Sequence, residues 1–432
     1  MSRVSASPRL SLRSFWGALP TPGRWLLSTV ALQTLGRGLT LPFTIIYLHE
    51  VRHFDLSLSG TLMALIAVVA LLVTGPVGTL TDRYGARVVL LAGTSCMIVG
   101  NVVLAFATTP PVAAVALALV GVNFGVSWPA FNALIASVVT GDLRQQYFGV
   151  NFALVNLGIG VGGVVGGLFV DVDRPETFTV IFLLDAVTVM VPMALLLGPL
   201  RHVHGRATAP DTEAAEAQPA TYLAILRQPA VLWLTGLTFL STFVGYGQME
   251  AGFPAFARQV SEVSTRVVGL AFAVNTAVIV LLQFWMLSRI RGHRRTRVLV
   301  LMALVWATSW TLLGLTGLVP GTVAAIAGVL MFHAFFAFGE TMLQPSVPAI
   351  TNDLAPDHLR GRYNAVNAAA FQGGTIAGPV VAGVLLQHGL DTAFIATLVV
   401  GCVFIGWLAL ALERRISPEV NGLAAPTTSS TV

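Results

Sequence analysis

Twelve apolar runs, each close to the length at which an α-helix crosses a lipid bilayer, dominate this chain. A helix needs about 20 apolar residues to span the hydrocarbon core. Helices also pair their own backbone N–H and C=O groups, which find no water there. Only 10% of the 432 residues are charged, against roughly 25% in a soluble domain. The sequence therefore predicts an all-α polytopic membrane protein with twelve transmembrane helices.

The runs fall into two groups of six, separated by a polar segment rich in alanine and proline. We expect the fourth and tenth spans to be shorter than their apolar runs, because Pro129 and Pro345 interrupt them. The segment predicts a cytoplasmic linker over 201–222, between six-helix bundles over 1–200 and 223–415, with a disordered tail over 416–432. The predicted spans are Trp25–Tyr47, Leu56–Thr79, Val88–Ala107, Val112–Val139, Tyr147–Val170, Phe178–Leu197, Val231–Ala257, Val267–Leu287, Val298–Leu318, Thr322–Leu343, Tyr363–Gln387 and Phe394–Leu410.

Arginine is distributed unevenly between the two sets of loops. With both termini inside, the inner segments hold 19 arginines and the outer loops hold 4. Positively charged residues are retained on the cytoplasmic side. We therefore expect a multi-pass protein of the bacterial cytoplasmic membrane with both termini in the cytoplasm. No apolar stretch precedes Trp25, so we expect no cleavable signal peptide.

An internal repeat supports the division into halves. Leu143–Gly167 aligns with Leu359–Gly383 at a shift of 216 residues, and Asn151 then falls on Asn367. The fifth and eleventh spans are thus counterparts that run in the same direction. The sequence predicts two six-helix parallel repeats, a duplication typical of transporters.

The loop between the second and third spans reads GTLTDRYGAR, over Gly78–Arg87. It resembles the signature loop of the major facilitator superfamily, G-x-L-x-D-R-x-G-x-R, in both type and location. The corresponding loop of the second half keeps Gly292 but has Arg289 in place of the acid. The resemblance implies the major facilitator fold, in which this loop clamps the halves together in one state and releases them in the other. The residues that would form this conformational switch are Gly78, Asp82, Arg83, Gly85 and Arg87.

Glycines on the fifth span recur at a spacing that allows close helix approach. Gly158, Gly162 and Gly166 lie at i, i+4 and i+8. The run resembles the antiporter motif G-x-x-x-G-P-x-x-G-G of export members, although Gly163 stands where that motif has proline. The resemblance implies an exporter of the drug:proton antiporter group, and packing alone is the alternative. Gly167 completes the motif on the fifth span, and Gly378 and Pro379 stand at the related positions on the eleventh.

Four ionisable residues lie within the spans: Arg37, Asp185, Glu250 and Glu340. Such residues are costly in a membrane and are functional candidates by default. Aligning Pro42 with Pro254 places Arg37 next to Glu250, so we expect an ion pair across a cavity. The resemblance implies that spans one, four, seven and ten line this cavity. The alternative is that the charges only pair with one another or with backbone groups. We favour this alternative for Asp185, because the sixth span is usually peripheral in the superfamily.

Other polar and aromatic side chains on the spans are candidates for the substrate or proton pathway. Each alone also fits an interhelical hydrogen bond or simple packing. The fourth span lacks the arginine often present in proton-coupled exporters of the superfamily, and Arg37 is a candidate substitute. These further candidates are Gln33, Asn123, Trp128, His333, Asn275 and Gln283.

Absent motifs narrow the function. The chain has no GxxxxGK[ST] nucleotide loop, no HExxH or GxSxG motif, and only two cysteines, Cys96 and Cys402. We therefore expect no enzyme activity, no cofactor, no metal and no nucleic-acid partner. The sequence predicts a monomeric secondary transporter in the bilayer, working by alternating access and coupling protons to efflux of small amphipathic or hydrophobic compounds. An importer of a sugar, peptide or organic acid is the main alternative, and a non-transporting membrane sensor is a third.

Overall fold

The computed structural model describes residues 12–139, 141–205, 222–290, 292–356 and 359–423, whose regular elements are helices. Short helices, Leu12–Ala18 and Tyr222–Leu226, precede the two halves. The spans of the first half are Thr21–Thr40 with Thr44–Ile46 and a π-helical turn over Tyr47–Val51, then Leu56–Tyr84, Ala86–Ala105, Pro110–Val138, Gly141–Phe169 and Pro175–Leu197. Those of the second half are Pro229–Val244 with Tyr246–Met249 and Gly252–Gln259, then Thr265–Ile290, Arg295–Thr316, Val323–Leu354, Arg360–Gln387 and Asp391–Glu413.

Within the described residues, 11 helices are long and apolar enough to cross a membrane. The first helix, Thr21–Thr40, is not one of them, because Arg24, Gln33 and Arg37 lower its mean hydropathy. It nevertheless packs lengthwise against the fifth and sixth spans and occupies the place of a first span. The predicted all-α fold of twelve spans is confirmed.

The two halves repeat one another in their packing. In the first half, span one packs on five and six, span three on four and six, and span two on four. The second half contains the same five pairs, with seven on eleven and twelve, nine on ten and twelve, and eight on ten. The halves meet where span two packs on span eleven and where span five packs on span eight. The repeat relates these two contacts, because two corresponds to eight and five to eleven. This pattern is the parallel six-plus-six duplication.

The predicted shortening of the fourth and tenth spans is wrong. The fourth span continues through Pro129 to Val138, and the tenth passes both Pro345 and Pro348 before it ends at Leu354. Each proline removes one backbone hydrogen bond. Transmembrane helices tolerate the loss because neighbouring helices and side chains satisfy the freed carbonyl group.

Breaks occur instead in the first and seventh spans, which the repeat relates. The first span is interrupted by the turn that contains Pro42. The seventh is interrupted at Gly245 and again between Met249 and Gly252. Glu250 lies in this second break, and Arg37 lies in the last regular turn before the break at Pro42, so both charged side chains sit at or next to a helix interruption.

The segment that follows the last span is partly ordered. The backbone N–H of Thr296 donates to Asn421 Oδ1 at 3.0 Å, and Asn421 is buried. Asn421 thereby satisfies an N–H in the first turn of span nine, which a helix cannot satisfy internally. The prediction of a disordered tail from residue 416 is therefore wrong for residues 416–423, while 424–432 lie outside the described residues.

Candidate transport site

A cavity of about 280 Å³ lies between the two halves. Its wall includes Arg37 and Phe124 from the first half and Glu250, His333 and Glu340 from the second. Most of the remaining lining is apolar, from spans two, five, eight and eleven. A mostly apolar pocket with a few converging polar groups is typical of a small-molecule site.

Arg37 and Glu250 form an ion pair across this central cavity. Nη2 of Arg37 lies 3.5 Å from Oε1 of Glu250, and the side chains are 37% and 32% exposed. The guanidinium group also stacks over the Phe124 ring, 4.3 Å from its centroid. The structure thus contains the expected pair, but the contact is long and reachable by water.

Glu340 belongs to a hydrogen-bonded chain on the second-half wall. Tyr246 Oη donates to Glu340 Oε1 at 2.8 Å and accepts from Gln344 Nε2 at 2.6 Å. Asn275 lines the same cavity as Glu340. Unlike Glu250, Glu340 has no ion-pair partner in the described part of the chain. Its carboxyl group is positioned by the neutral Tyr246 hydroxyl and faces the cavity.

His333 sits at the same wall in an aromatic enclosure. Its ring centroid lies 4.3 Å from that of Phe253 and 4.9 Å from that of Phe272. The side chain is fully buried, and neither ring nitrogen has a hydrogen-bond partner among the described residues. Burial without a partner disfavours the charged imidazolium, so the geometry suits a neutral ring.

Three predicted site residues, Gln33, Asn123 and Trp128, do not line the central cavity. They line a second cavity of about 360 Å³ inside the first half, which we call the first-half cavity. Arg37 lines both cavities and so stands between them. Gln283 lines neither, and its Nε2 donates to the backbone carbonyl of Thr341 at 3.4 Å. It joins span eight to span ten.

A second ion pair joins the halves at the ends of spans one and seven. Arg258 Nη2 lies 2.6 Å from Glu50 Oε2, and Arg258 Nε donates to Glu50 Oε1 at 3.0 Å. We call this end of the molecule the closed end, and the opposite end, which bears Gly78–Arg87, the loop end. Sequence reasoning counted Arg258 only as a loop charge. The pair could have been predicted from the sequence, because Glu50 and Arg258 carry opposite charges at the ends of two spans that the repeat relates.

The glycines of span five face two neighbours. Gly158, Gly162 and Gly166 approach span one, where an added Cβ would meet its backbone or side chains. The close approach predicted from their spacing is present.

Gly163 and Gly167 instead face span eight, across the boundary between the halves. A Cβ on Gly167 would lie 2.8 Å from the Thr265 carbonyl oxygen and 2.9 Å from Gly269 Cα.

The repeat reproduces this arrangement on span eleven. Gly378 packs on Gly247 of span seven, within the second half. A Cβ on Gly383 would lie 2.6 Å from the Leu56 carbonyl oxygen of span two, and the Pro379 carbonyl group touches Gly60 nearby. Backbone-to-backbone contacts therefore close the boundary between the halves on both sides of the molecule.

The hydrogen bonds of the signature-like loop among the described residues run to the end of span six and the segment that follows it. Gly85 has φ 88°, the backbone region expected for a glycine turn, and Gly292 in the second half has φ 76°. Arg87 Nε donates to the Leu196 carbonyl group at 2.7 Å, at the end of span six. Arg83 is exposed, Gly78 has open space around it, and the Asp82 side chain lies outside the described residues.

Sequence comparison identifies the family. The sequence profile of the Major Facilitator Superfamily matches residues 26–336 and 310–430. The chain belongs to the Major Facilitator Superfamily. It is thus a multi-pass bacterial membrane protein of a transporter family, consistent with its 11 apolar helices.

Two curated relatives and one solved structure are similar to this chain over nearly its full length. The MFS-type transporter YdeE of Escherichia coli (strain K12) is 22% identical over 396 residues, covering 91% of this chain and 95% of the relative. Multidrug resistance protein 1 of Bacillus subtilis (strain 168) is 23% identical over 397 residues, covering 89% and 96%. A crystal structure of the peptide transporter POT in complex with sulfate superposes with a TM-score of 0.73 at 14% identity, covering 95% and 98%. At that identity the superposition shows the fold alone.

Proposed function

We propose that this chain exports small, mostly apolar compounds from the bacterial cytoplasm in exchange for protons. The observation that carries the proposal is a pair of acids, Glu250 and Glu340, on the second-half wall of the central cavity. Among the described residues that line this cavity, Arg37 is the one with a positive charge. Two acids against one arginine leave room for a cationic or polar substrate group.

Competition at these acids would couple the two fluxes. A carboxyl group that holds a proton is neutral and attracts a cationic substrate weakly, whereas the ionised group attracts it strongly. Proton and substrate then disfavour one another by the same coupling free energy. Glu340 suits this role because its hydrogen-bond donor, the Tyr246 hydroxyl, is neutral. Glu250 suits it because its contact with Arg37 is long and exchangeable.

Two observations support export over import. The glycine run of span five resembles the antiporter motif and packs across the boundary between the halves. One relative that matches nearly its full length is named a multidrug resistance protein. The arginine distribution supports an orientation with the loop end and both termini in the cytoplasm. The central cavity then alternates between the two sides as the halves rock about it, and Gly78, Asp82, Arg83, Gly85 and Arg87 govern the switch.

Transport-driven proton movement tests the proposal. Everted membrane vesicles carry a preset proton gradient reported by a pH-sensitive dye, and lipophilic cationic, neutral and anionic compounds are added in turn. We expect some compounds to dissipate the gradient with wild type but not with Glu340→Gln. Glu176→Gln, an exposed acid in the first turn of span six, is the matched control and should behave as wild type.

Two results would count against the proposal. Gradient dissipation that is equal in wild type and Glu340→Gln would remove Glu340 from coupling. If no compound moves protons in either protein, export of lipophilic compounds fails, and uptake of a sugar, peptide or organic acid with protons becomes the better proposal.

A further inference from the structure

The fourth charged residue of the spans, Asp185, is fully buried between spans six, one and three. Its Oδ2 accepts hydrogen bonds from Asn101 Nδ2 at 2.9 Å and from Thr40 Oγ1 at 3.2 Å. A Cβ at residue 36 would overlap Asp185 Oδ1 and Thr188 Oγ1, so Gly36 leaves the space that the carboxyl group occupies. The site is thus built to hold this side chain in one position.

The two oxygens of Asp185 have different surroundings. Both side-chain donors point to Oδ2, whereas Oδ1 has no hydrogen-bond partner in the described part of the chain. An ionised carboxylate with an unpaired oxygen in a buried site is costly. A protonated carboxyl group costs less to bury because it carries no charge; Oδ2 then acts as its carbonyl oxygen, and Oδ1 is the position left for the proton.

Space for water borders the site. Asp185 lines the first-half cavity together with polar side chains that include Gln33, Asn123 and Asn151. The cavity of about 360 Å³ has room for roughly ten water molecules at about 30 Å³ each. Oδ1 itself is shielded from solvent in this conformation, so release of its proton to this water requires the surrounding side chains to move.

Arg37 is the charged residue that shares the lining of the first-half cavity with Asp185. Thr40 Oγ1 lies 3.2 Å from both Asp185 Oδ2 and the Arg37 carbonyl oxygen, so the two residues are neighbours. Described residues of spans three, four and five contribute only neutral polar groups to this region, among them Asn101, Asn123 and Asn151. Span six has no other charged residue near Asp185. Arg37 is also the partner of Glu250, and its Nε has no partner among the described residues.

We propose that Asp185 is a second proton-binding site, linked to Glu250 through the single charge of Arg37. This inference rests on the proposed proton-coupled transport. Arg37 requires one ionised carboxylate nearby. When Glu250 takes a proton from the central cavity, Arg37 loses its counter-ion, and Asp185 gives its own proton to water in the first-half cavity and replaces it. One proton is bound and one is released, on different faces of Arg37.

The test separates coupling from substrate passage. Purified wild type, Asp185→Asn and the control Glu176→Gln are placed in proteoliposomes, with ethidium as a lipophilic cationic probe. One assay measures ethidium accumulation driven by a proton gradient, and the other measures ethidium flux down its own gradient without one. Asparagine keeps an acceptor for Asn101 and Thr40 but cannot release a proton.

We expect Asp185→Asn to lose accumulation, down to the level of protein-free liposomes, while its downhill flux stays within about twofold of wild type. Accumulation equal to that of Glu176→Gln would overturn the inference. Loss of both fluxes with an unchanged melting temperature would also overturn it, because Asp185 would then belong to the substrate path. Failure of wild type to accumulate ethidium in proteoliposomes, together with no proton movement by any lipophilic compound in the vesicle assay above, would instead reject the proposed function.

A second measurement decides the matter if Asp185→Asn does not fold. In Glu250→Gln/Glu340→Gln, Asp185 is the remaining acid of the span interiors. Infrared difference spectra between about pH 4 and pH 9 should show the band of a buried protonated carboxyl group at low pH and its loss at high pH. A band that is absent, or that never changes, would show that Asp185 binds no exchangeable proton.

Discussion

Replacing Gly167 with alanine should open the closed end. The added Cβ would lie 2.8 Å from the Thr265 carbonyl oxygen and 2.9 Å from Gly269 Cα, whereas ordinary contact begins at 3.4 Å. Both obstacles are backbone atoms, which cannot rotate away as a flexible side chain can. Spans five and eight must therefore separate by about 0.5 Å or more while the halves stay closed.

The cost follows from this overlap. Forcing an extra methyl group into a packed site costs about 1–3 kcal/mol. The penalty falls on the state in which spans five and eight touch, and not on the state in which they part. A difference of this size changes the ratio of the two states by roughly 5–150-fold. Gly149, on the same span, has no atom within 4 Å of an added Cβ, so Gly149→Ala is the matched control.

Labelling of a single thiol measures the shift. Cys96 and Cys402 are replaced, and Met63, which lines the central cavity from span two, becomes cysteine. A membrane-impermeant maleimide is then added to intact cells. We expect Gly167→Ala to speed labelling within that 5–150-fold range, while Gly149→Ala leaves it unchanged. Equal rates in both variants, with normal amounts of folded protein, would refute the reasoning.

Three further predictions test separate contacts. Glu50→Gln removes the charge from the paired contact with Arg258 and should also speed labelling at the closed end, since a hydrogen bond to a charged group contributes about 1.5–3 kcal/mol. Asn421→Ala leaves the Thr296 N–H unsatisfied and should cost about 1–3 kcal/mol, seen as a lower melting temperature in detergent; an unchanged value would contradict the ordered segment. Arg87→Gln should slow turnover several-fold without changing substrate affinity, because it frees the loop from span six; turnover at the wild-type rate would exclude this role.

The span architecture was predictable because lipid leaves the backbone few choices. Runs of about 20 apolar residues must be helical, and the repeat fixed which helices are equivalent. The predicted shortening of the fourth and tenth spans was wrong because Pro129 and Pro345 lie inside continuous helices. Neighbouring helices compensate for the lost hydrogen bond. The ordered segment around Asn421 was missed because its few hydrogen bonds to Arg295 and Thr296 leave no pattern in composition.

The site was predictable only in part. Arg37 and Glu250 could be paired because the repeat gave their relative height in the membrane. The rotation of each helix could not be obtained, because a transmembrane helix is apolar on most sides and its hydropathy does not mark the inward face. That is why Asn123 and Trp128, on a span expected to line the central cavity, prove to line the first-half cavity instead.

The two ion pairs between the halves described above differ in length and exposure, and this difference suggests different roles. Glu50 and Arg258 make a two-bond contact as short as 2.6 Å, with side chains only 20% and 22% exposed. Arg37 and Glu250 are 3.5 Å apart and more exposed, so water, a proton or a substrate can replace the contact at lower cost. A tight pair at the closed end suits a latch that opens as a unit with the glycine contacts. A loose pair in the cavity suits a charge that changes partners, and Asp185, which lines the first-half cavity with Arg37, is the second partner we propose.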